Sequence, residues 1–203
     1  MSTPDPDKVA RLQAALEHYE AHGGGELFDR THEEAIAPVR KRALGLLDQR
    51  ARSRHELRER LVKAEFEEGL VEEVLDSLER SKLLDDEAFA REWVRQRAEA
   101  RGKSARALDL ELRDKGVSAD IRAEALSQVT PEDEEAQARV LAEKKAREVK
   151  APPADRGEYE KHLRRVVGVL ARRGYASEMS FRIGREAVDA RVEALTVDSG
   201  DEE

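Results

Sequence analysis

The feature that most constrains the fold of this chain is an internal repeat. A serine and five apolar residues mark the first copy, at Ser53, Leu57, Leu61, Phe66, Leu70 and Leu75. Adding 51 to each number gives a second copy of the same pattern, at Ser104, Leu108, Leu112, Val117, Ile121 and Leu126. Adding a further 58 to the last five gives a third copy, at Val166, Leu170, Tyr175, Met179 and Gly184, where only the glycine departs and Ile183 stands beside it. Periods of this length are typical of arrays in which each copy buries its apolar face against its neighbours.

Each copy predicts three helices, and the second is the most regular. Its leucines lie four residues apart, on one face of a helix, and we expect them in the core: Leu57, Leu61, Leu108 and Leu112. Ser53 and Ser104 stand where an N-cap belongs, and Glu56 follows Ser53 at the spacing of a capping box.

The turn after the second helix contains glycine in two of the three copies. Gly116 and Gly174 are expected to adopt a left-handed conformation, which glycine reaches without steric penalty. The first copy has Ala64-Glu65-Phe66 at this turn, so we expect it to be tighter or closed differently.

The opening helix of each copy is the least regular. In the third copy we expect Val140 and Leu141 to face inward. Before the opening helix of the second copy, Asp85 and Asp86 are interpreted as N-cap residues, although paired carboxylates also occur in metal and acid–base sites. Trp93, in the same helix, is either a core or a contact residue.

Composition agrees with an all-α fold, a tandem array of three three-helix repeats that is elongated and curved. Charged residues make up 40% of the chain and aromatic residues only 4%, which favours thin amphipathic helices over a thick core. We divide the chain into an N-terminal extension with one helix around Val9–Ala21 and a glycine linker, three repeats and an acidic tail, at 1–38, 39–83, 84–129, 130–188 and 189–203.

The sequence offers little for catalysis, metals or membranes. It contains no cysteine, its first residues are polar and interrupted by proline, and no apolar run approaches the ~20 residues of a membrane span. His18 and His22 have the spacing of a helical metal pair but no third ligand, and neither a P-loop nor a nucleophile elbow occurs. We therefore expect a cytoplasmic, monomeric protein that is not an enzyme and has no metal, cofactor or membrane partner.

The net charge of −8 is concentrated at the two ends, because residues 1–38 and 189–203 carry −5 each and the body carries +2. Basic residues recur at helical spacing in all three copies, where stacking could align them into one stripe. Solvated helix faces with interleaved glutamates are the simpler interpretation. The candidate binding residues are Arg50, Arg54, Arg58, Arg91, Arg95, Arg101, Lys103, Lys144, Lys145, Arg164, Arg165, Arg172 and Arg173.

Four segments carry distinctive motifs: Ser53–Leu61, with its capped helix, Leu83–Val94, with the pattern Asp-Asp-x-x-Phe-Ala-x-x-Trp-Val, and Glu111–Val117 and Leu170–Tyr175, with their glycine turns. Together they resemble the RecX family. The resemblance covers about residues 39–188, and Glu65 departs from the glycine that the family usually has in the first turn.

This resemblance implies tandem three-helix repeats and a regulator, usually an inhibitor, of the RecA recombinase that binds in the groove of the RecA–DNA filament. Homologous recombination, DNA repair and the SOS response would be the processes affected, with DNA contacted mainly within the filament. Two alternatives stay open from the residues themselves: a helical-repeat DNA-binding protein and a protein scaffold that does not act on a recombinase. The near-neutral body argues against binding through phosphates alone.

Overall fold

The computed structural model describes residues 25–198, with side chains from 30 to 197. Within this range the chain forms nine α-helices and no strand, which confirms the all-helical prediction. The helices are α1 Gly25–Gln49, α2 Arg54–Val62, α3 Glu68–Arg80, α4 Asp86–Arg101, α5 Ala105–Asp114, α6 Ala119–Leu126, α7 Pro131–Ala146, α8 Arg156–Ala171 and α9 Ser177–Asp198.

The described residues divide into two compact units. Unit 1 comprises 25–51 and 57–83, and unit 2 comprises 52–56 and 84–198, so the division passes through α2. In unit 1, α1 packs against α3. The buried apolar residues of this unit include Ile36, Val39, Ala43 and Leu46 from α1 and Val71, Val74, Leu75 and Leu78 from α3.

Helix α1 continues through Pro38, where the sequence suggests that the repeat region begins. Proline inside a helix costs roughly 3 kcal/mol because it removes a hydrogen bond and crowds the preceding turn. Ile36 and Val39, on either side of it, are only 1% and 0% exposed. Burial of this apolar face offsets the local penalty, so the helix does not end there.

Unit 2 contains two apolar clusters. The first joins α4, α5 and α6, and the buried leucines Leu108 and Leu112 lie at its centre. The second joins α7, α8 and α9 around Val166, Leu170 and Ile183. Leu57, Leu61, Leu108 and Leu112 all have 0% exposure, which confirms the predicted core positions.

The inward face of α7 differs from the prediction. Val140 is 57% exposed, and Leu141 is only partly buried against the second cluster. The buried face is instead an alanine stripe, Ala138, Ala142 and Ala146, with the four-residue spacing of one helix face. The prediction followed the larger side chains, whereas α7 packs through the small ones that let neighbouring helices approach.

The predicted caps are present. Ser104 Oγ accepts from the Ala107 amide, and Ser53 Oγ accepts from the Glu56 amide at 3.1 Å. Asp85 Oδ1 accepts from the Ala88 amide at 2.9 Å, which confirms the N-cap interpretation for Asp85, whereas Asp86 lies inside the first turn of α4 and is not its N-cap. Such bonds satisfy amides that the first turn of a helix leaves without an intrahelical partner.

Some sequence predictions lie outside the described residues, namely the helix around Val9–Ala21, the His18/His22 pair and the last five residues of the acidic tail. The first residues of that tail are helical, because α9 extends to Asp198. None of the helices between residues 25 and 198 combines the length and apolar character of a membrane span. In the same range no three potential ligands among His, Asp and Glu cluster as a metal site would require.

Candidate functional site

Unit 2 contains a joint at which the amino end of α5 meets the turn between α8 and α9. The Ser104 amide donates to the Arg173 carbonyl oxygen at 3.0 Å, and the Ala105 amide donates to Glu134 Oε1 at 3.1 Å. Gly174 has φ +90°, and a Cβ there would lie 2.6 Å from Ser104 Oγ. Glycine is thus required twice, for the left-handed turn and for the close approach of the helix end.

The amino end of α2, residues 52–56, makes the equivalent contacts within unit 2. Ser53 Oγ donates to the Lys115 carbonyl oxygen at 2.6 Å, and the Arg54 amide donates to Asp86 Oδ1 at 2.8 Å. Gly116 has φ +70°, and a Cβ there would lie 2.3 Å from His55 Cγ. The positive φ predicted for both glycines is confirmed, and the joint repeats with the sequence register.

A basic groove of about 510 Å³ lies beside the joint at Gly174. Its lining comes from the carboxyl end of α4, the loop before α5, one face of α7 and the turn after α8. Five of its nine lining residues are cationic: Arg101, Lys103, Lys144, Arg172 and Arg173. The other four are Ala100, Gly102, Gln137 and Leu141, so the lining contains no carboxylate. This group of nine is the basic groove referred to below.

The cations of the basic groove differ in their intramolecular partners. Lys103 Nζ bonds to Glu111, and the Arg173 guanidinium donates to the carbonyl oxygens of Arg101 and Val169. Among the described residues, no carboxylate lies within 4.0 Å of Arg101, Lys144 or Arg172, and all three side chains are exposed. These three retain their capacity to bind an external anion.

Most other candidate cations from the sequence are engaged with glutamates. Arg58, Arg91, Arg95, Lys145 and Arg164 each have a glutamate oxygen within 4.0 Å. Arg50 donates to the Ala51 carbonyl, Arg54 belongs to the amino end of α2, and Arg165 is exposed on α8 outside the groove lining. The structure therefore gathers five of the thirteen candidates in one place.

Trp93, left open between core and contact, is half-buried in a polar cluster of unit 2. Its ring lies under the Arg97 guanidinium, 3.1 Å from the centroid, and Lys115 Nζ is 4.2 Å from the same centroid. Trp93 Nε1 donates to Glu111 Oε2 at 2.9 Å. Arg97 also pairs with Glu111 at 3.2 Å. Trp93 thus joins an apolar core to an ion-pair network, with cation–π contacts on its ring.

Glu111 at the centre of this network stays ionised. Burial alone would raise the pKa of Glu111, but hydrogen bonds from Lys103 and Trp93 and the charges of Lys103 and Arg97 outweigh burial and lower it. The carboxylate thereby holds Lys103 at the edge of the basic groove.

Sequence reasoning missed the carboxylates that cap a neighbouring helix. Asp86 accepts from the first amide of α2, and Glu134 accepts from the first amide of α5. Both acids lie in the first turn of the opening helix of the following copy. This shared position was a signal available in the sequence, but it becomes meaningful only once the helices are placed.

The chemistry of the basic groove is that of an anion site. Guanidinium groups bind phosphate and carboxylate oxygens in pairs, and a concave basic surface concentrates anions. The groove is assembled on helix ends that the joint fixes in position. Its nine lining residues include no serine, cysteine, histidine, aspartate or glutamate.

Comparisons with known proteins agree with this architecture. Family models described as "RecX, first three-helix domain" and "RecX, second three-helix domain" match residues 40–78 and 85–126. A "Regulatory protein RecX" of Corynebacterium efficiens is 55% identical over 202 residues, covering 95% of this chain and 96% of that protein. One of the same name from Streptomyces coelicolor is 41% identical, over 77% of this chain and 80% of that protein.

Solved structures support the same fold. The crystal structure of RecX from Lactobacillus salivarius superposes with a TM-score of 0.64 at 23% identity, covering 76% of this chain and 97% of that one. A second, titled "Crystal structure of regulatory protein RecX", gives 0.66 at 24% identity over 78% of this chain and 77% of that one. With the helical repeats, the capped helices and the glycine turns, these matches show that the chain belongs to the RecX family.

Proposed function

We propose that this protein regulates the RecA recombinase, as an inhibitor, by binding the RecA–DNA filament through the basic groove. The relatives named "Regulatory protein RecX" support a regulatory role. The observation that carries the binding surface is the gathering of five cations, without a carboxylate, in a groove of about 510 Å³.

The charge distribution of this chain is suited to a partner whose surface presents both protein and phosphate groups. The body of the chain carries only +2, which is too little for tight binding through phosphates alone. The cations gathered in the basic groove would contact phosphate groups of the DNA, and the surrounding helices would contact the recombinase. We therefore expect bare DNA to bind more weakly than recombinase-coated DNA, and the protein to act where the filament forms, in the cytoplasm.

A double charge reversal, Arg101→Glu with Arg172→Glu, tests this assignment. Both side chains are exposed and lie in the groove lining, so the helices should remain intact. We expect weaker binding to recombinase-coated DNA and restored ATP hydrolysis and strand exchange by the recombinase in the presence of the variant. If two phosphate contacts are lost, the magnitude of the slope of log K against log salt should fall by about 1.4 to 1.8.

A matched control is Arg91→Glu with Arg164→Glu. These exposed arginines pair with Glu87 and Glu160 one helical turn away and lie outside the groove. The control changes net charge by the same amount and should inhibit like the original protein. Full inhibition by the groove variant would exclude the basic groove as the binding surface, and equal binding to bare and coated DNA would favour simple DNA binding.

A further inference from the structure

The basic groove spans the joint between the second and third copies. Arg101, Gly102 and Lys103 come from the second copy, whereas Lys144, Arg172 and Arg173 come from the third. An anion bound in the groove would therefore touch both copies at once.

The same residues hold the joint closed. The Arg173 carbonyl accepts from the Ser104 amide, and Arg173 Nε donates to the Arg101 carbonyl at 3.1 Å. Tyr175 Oη donates to the Gly102 carbonyl oxygen, also at 3.1 Å. The two sides of the groove cannot separate without breaking these bonds.

Electrostatics acts against these hydrogen bonds. Arg101 and Lys103 on one side of the joint face Lys144, Arg172 and Arg173 on the other. Two carboxylates neutralise only part of this charge, because Glu111 pairs with Lys103 and Glu134 accepts from the Ala105 amide. Charges of the same sign repel one another, and in salt solution this repulsion extends over a Debye length of about 8–10 Å. Repulsion among these cations therefore weakens the joint at Gly174, although the same cations allow the groove to bind an anion.

At the joint at Gly116, the cation is instead paired with a carboxylate of the protein itself. Lys115 occupies the position equivalent to Arg173, and its ammonium pairs with Glu56 at 2.8 Å. The position equivalent to Glu56 in the second copy is Ala107, which has no charge. The counterion is thus built into one joint and absent from the corresponding position of the other.

We propose that phosphate groups of a nucleic-acid strand act as the missing counterion, so that binding in the basic groove locks the joint between the second and third copies. This rests on the proposed function, because it names the ligand and the consequence of binding at the same groove. A phosphodiester strand fits better than an acidic protein surface, since it presents anions of one sign at regular spacing. A protein surface carries both signs, and its cations would meet a lining without carboxylates.

Amide hydrogen exchange measures the lock directly. The probes are a short single-stranded oligothymidylate, inorganic tripolyphosphate and polyglutamate, each added to the full chain at ionic strength matched with NaCl. If the ligand binds only the closed joint, the Ser104 and Ala105 amides should exchange about tenfold more slowly at ten times Kd. The Arg54 amide, which bonds to Asp86 at the other joint, is the internal reference and should not change.

The three probes separate the sources of the anion. Protection by oligothymidylate and tripolyphosphate, without protection by polyglutamate, supports a phosphate lock. Equal protection by polyglutamate would overturn the choice of phosphate in favour of an acidic protein. Bound oligothymidylate with unchanged exchange at Ser104 would overturn the lock itself.

For two substitutions the proposed lock predicts slower amide exchange, whereas a substitution that merely destabilised the fold would make exchange faster. Lys144→Glu and Ala107→Glu each place a carboxylate at the joint, so in the free protein the Ser104 amide should exchange at least about threefold more slowly, and the response to oligothymidylate should shrink. Lys161→Glu, exposed on α8 outside the groove, is the control and should leave both rates unchanged. Faster exchange in both variants would contradict the lock.

Filament binding, measured in parallel, keeps the two proposals distinguishable. Normal filament binding with no protection of Ser104 rejects the lock and leaves the proposed function intact. Protection of Ser104 by oligothymidylate, with no binding to recombinase-coated DNA, supports the lock and rejects the proposed function.

Discussion

The turn that follows the second helix takes the same backbone shape in all three copies but differs in its residue and surroundings. Glu65 in unit 1 has φ +63°, close to the +70° of Gly116 and the +90° of Gly174 in unit 2. The side chain of Glu65 is exposed, whereas both glycines are approached by the amino end of a helix. The expectation that the first turn would close differently is therefore wrong.

Comparing the three turns distinguishes two reasons why a position in such a turn requires glycine. Left-handed backbone costs a residue with a Cβ about 1–2 kcal/mol, and unit 1 tolerates it at Glu65 and again at Lys82, which has φ +58°. A helix end that comes within 2.3–2.6 Å of the Cβ position leaves no space for any side chain. The exposed Glu65 side chain is not enclosed by any of the described residues, so only the smaller, conformational reason applies to Glu65.

Gly116→Ala should have the largest effect. Its Cβ would lie 2.3–2.4 Å from His55 Cγ and Cβ, so overpacking adds to the left-handed strain, and we expect a loss of about 2–5 kcal/mol in urea unfolding. His55→Gly removes the atoms in conflict, so the double variant should lose at least about 1 kcal/mol less than the sum of the single variants. Strict additivity would show that the approach of the helix end is not what requires glycine.

Gly174→Ala should cost slightly less, about 2–4 kcal/mol, because its Cβ would lie 2.6 Å from Ser104 Oγ and Ala107 Cβ. Thermal unfolding gives the size of the loss, and amide exchange gives its location. Exchange should accelerate at Ser104 and remain unchanged at Arg54, which belongs to the other joint. Equal acceleration at both sites would mean that the two joints open together.

Tyr175→Phe should remove about 0.5–1.5 kcal/mol at pH 8, because it deletes the hydrogen bond to the Gly102 carbonyl. Burial, assisted by Glu134, raises the pKa of Tyr175 to about 12 from its ordinary value of 10. The folded state then favours the neutral phenol, so the contribution of Tyr175 is complete below pH 10 and declines between pH 10 and 12. The difference between the two proteins should shrink over that range. Tyr159, whose pKa is also about 12, is present in both and cancels.

Glu65→Gly should have the smallest effect and the opposite sign. Relief of left-handed strain is partly offset by the greater freedom of glycine in the unfolded chain, so we expect a gain of about 0.5–1 kcal/mol in urea unfolding. Glu65→Ala keeps the strain while removing the carboxylate, and it should show no such gain. A loss of stability in the glycine variant would indicate that the Glu65 side chain makes a stabilising contact.

Much of the candidate site was within reach of the sequence. The basic residues of the groove were among the thirteen candidates because they recur at helical spacing in each copy. Spacing could not separate Arg101 and Arg172 from Arg91 and Arg95, since all four are arginines on solvated helices. The distinction depends on which glutamates come within reach after folding.

The sequence by itself determined what depends on neighbouring residues along the chain. Helical period placed Leu108 and Leu112 in the core, the serine before α5 formed its cap, and glycine marked the left-handed turns at 116 and 174. Each of these follows from contacts within about four residues, where geometry is fixed by the helix itself.

Only the tertiary structure decided which face of α7 is buried, which helix end each glycine turn receives and which cations share a groove. Val140 turned outward because the alanine stripe beside it allows closer packing. Glu134 accepts from the first amide of α5, 29 residues away in the sequence. Arg173 donates to the carbonyl oxygen of Arg101, 72 residues away. Such contacts depend on how whole helices are rotated and spaced against one another, and no local pattern encodes that rotation.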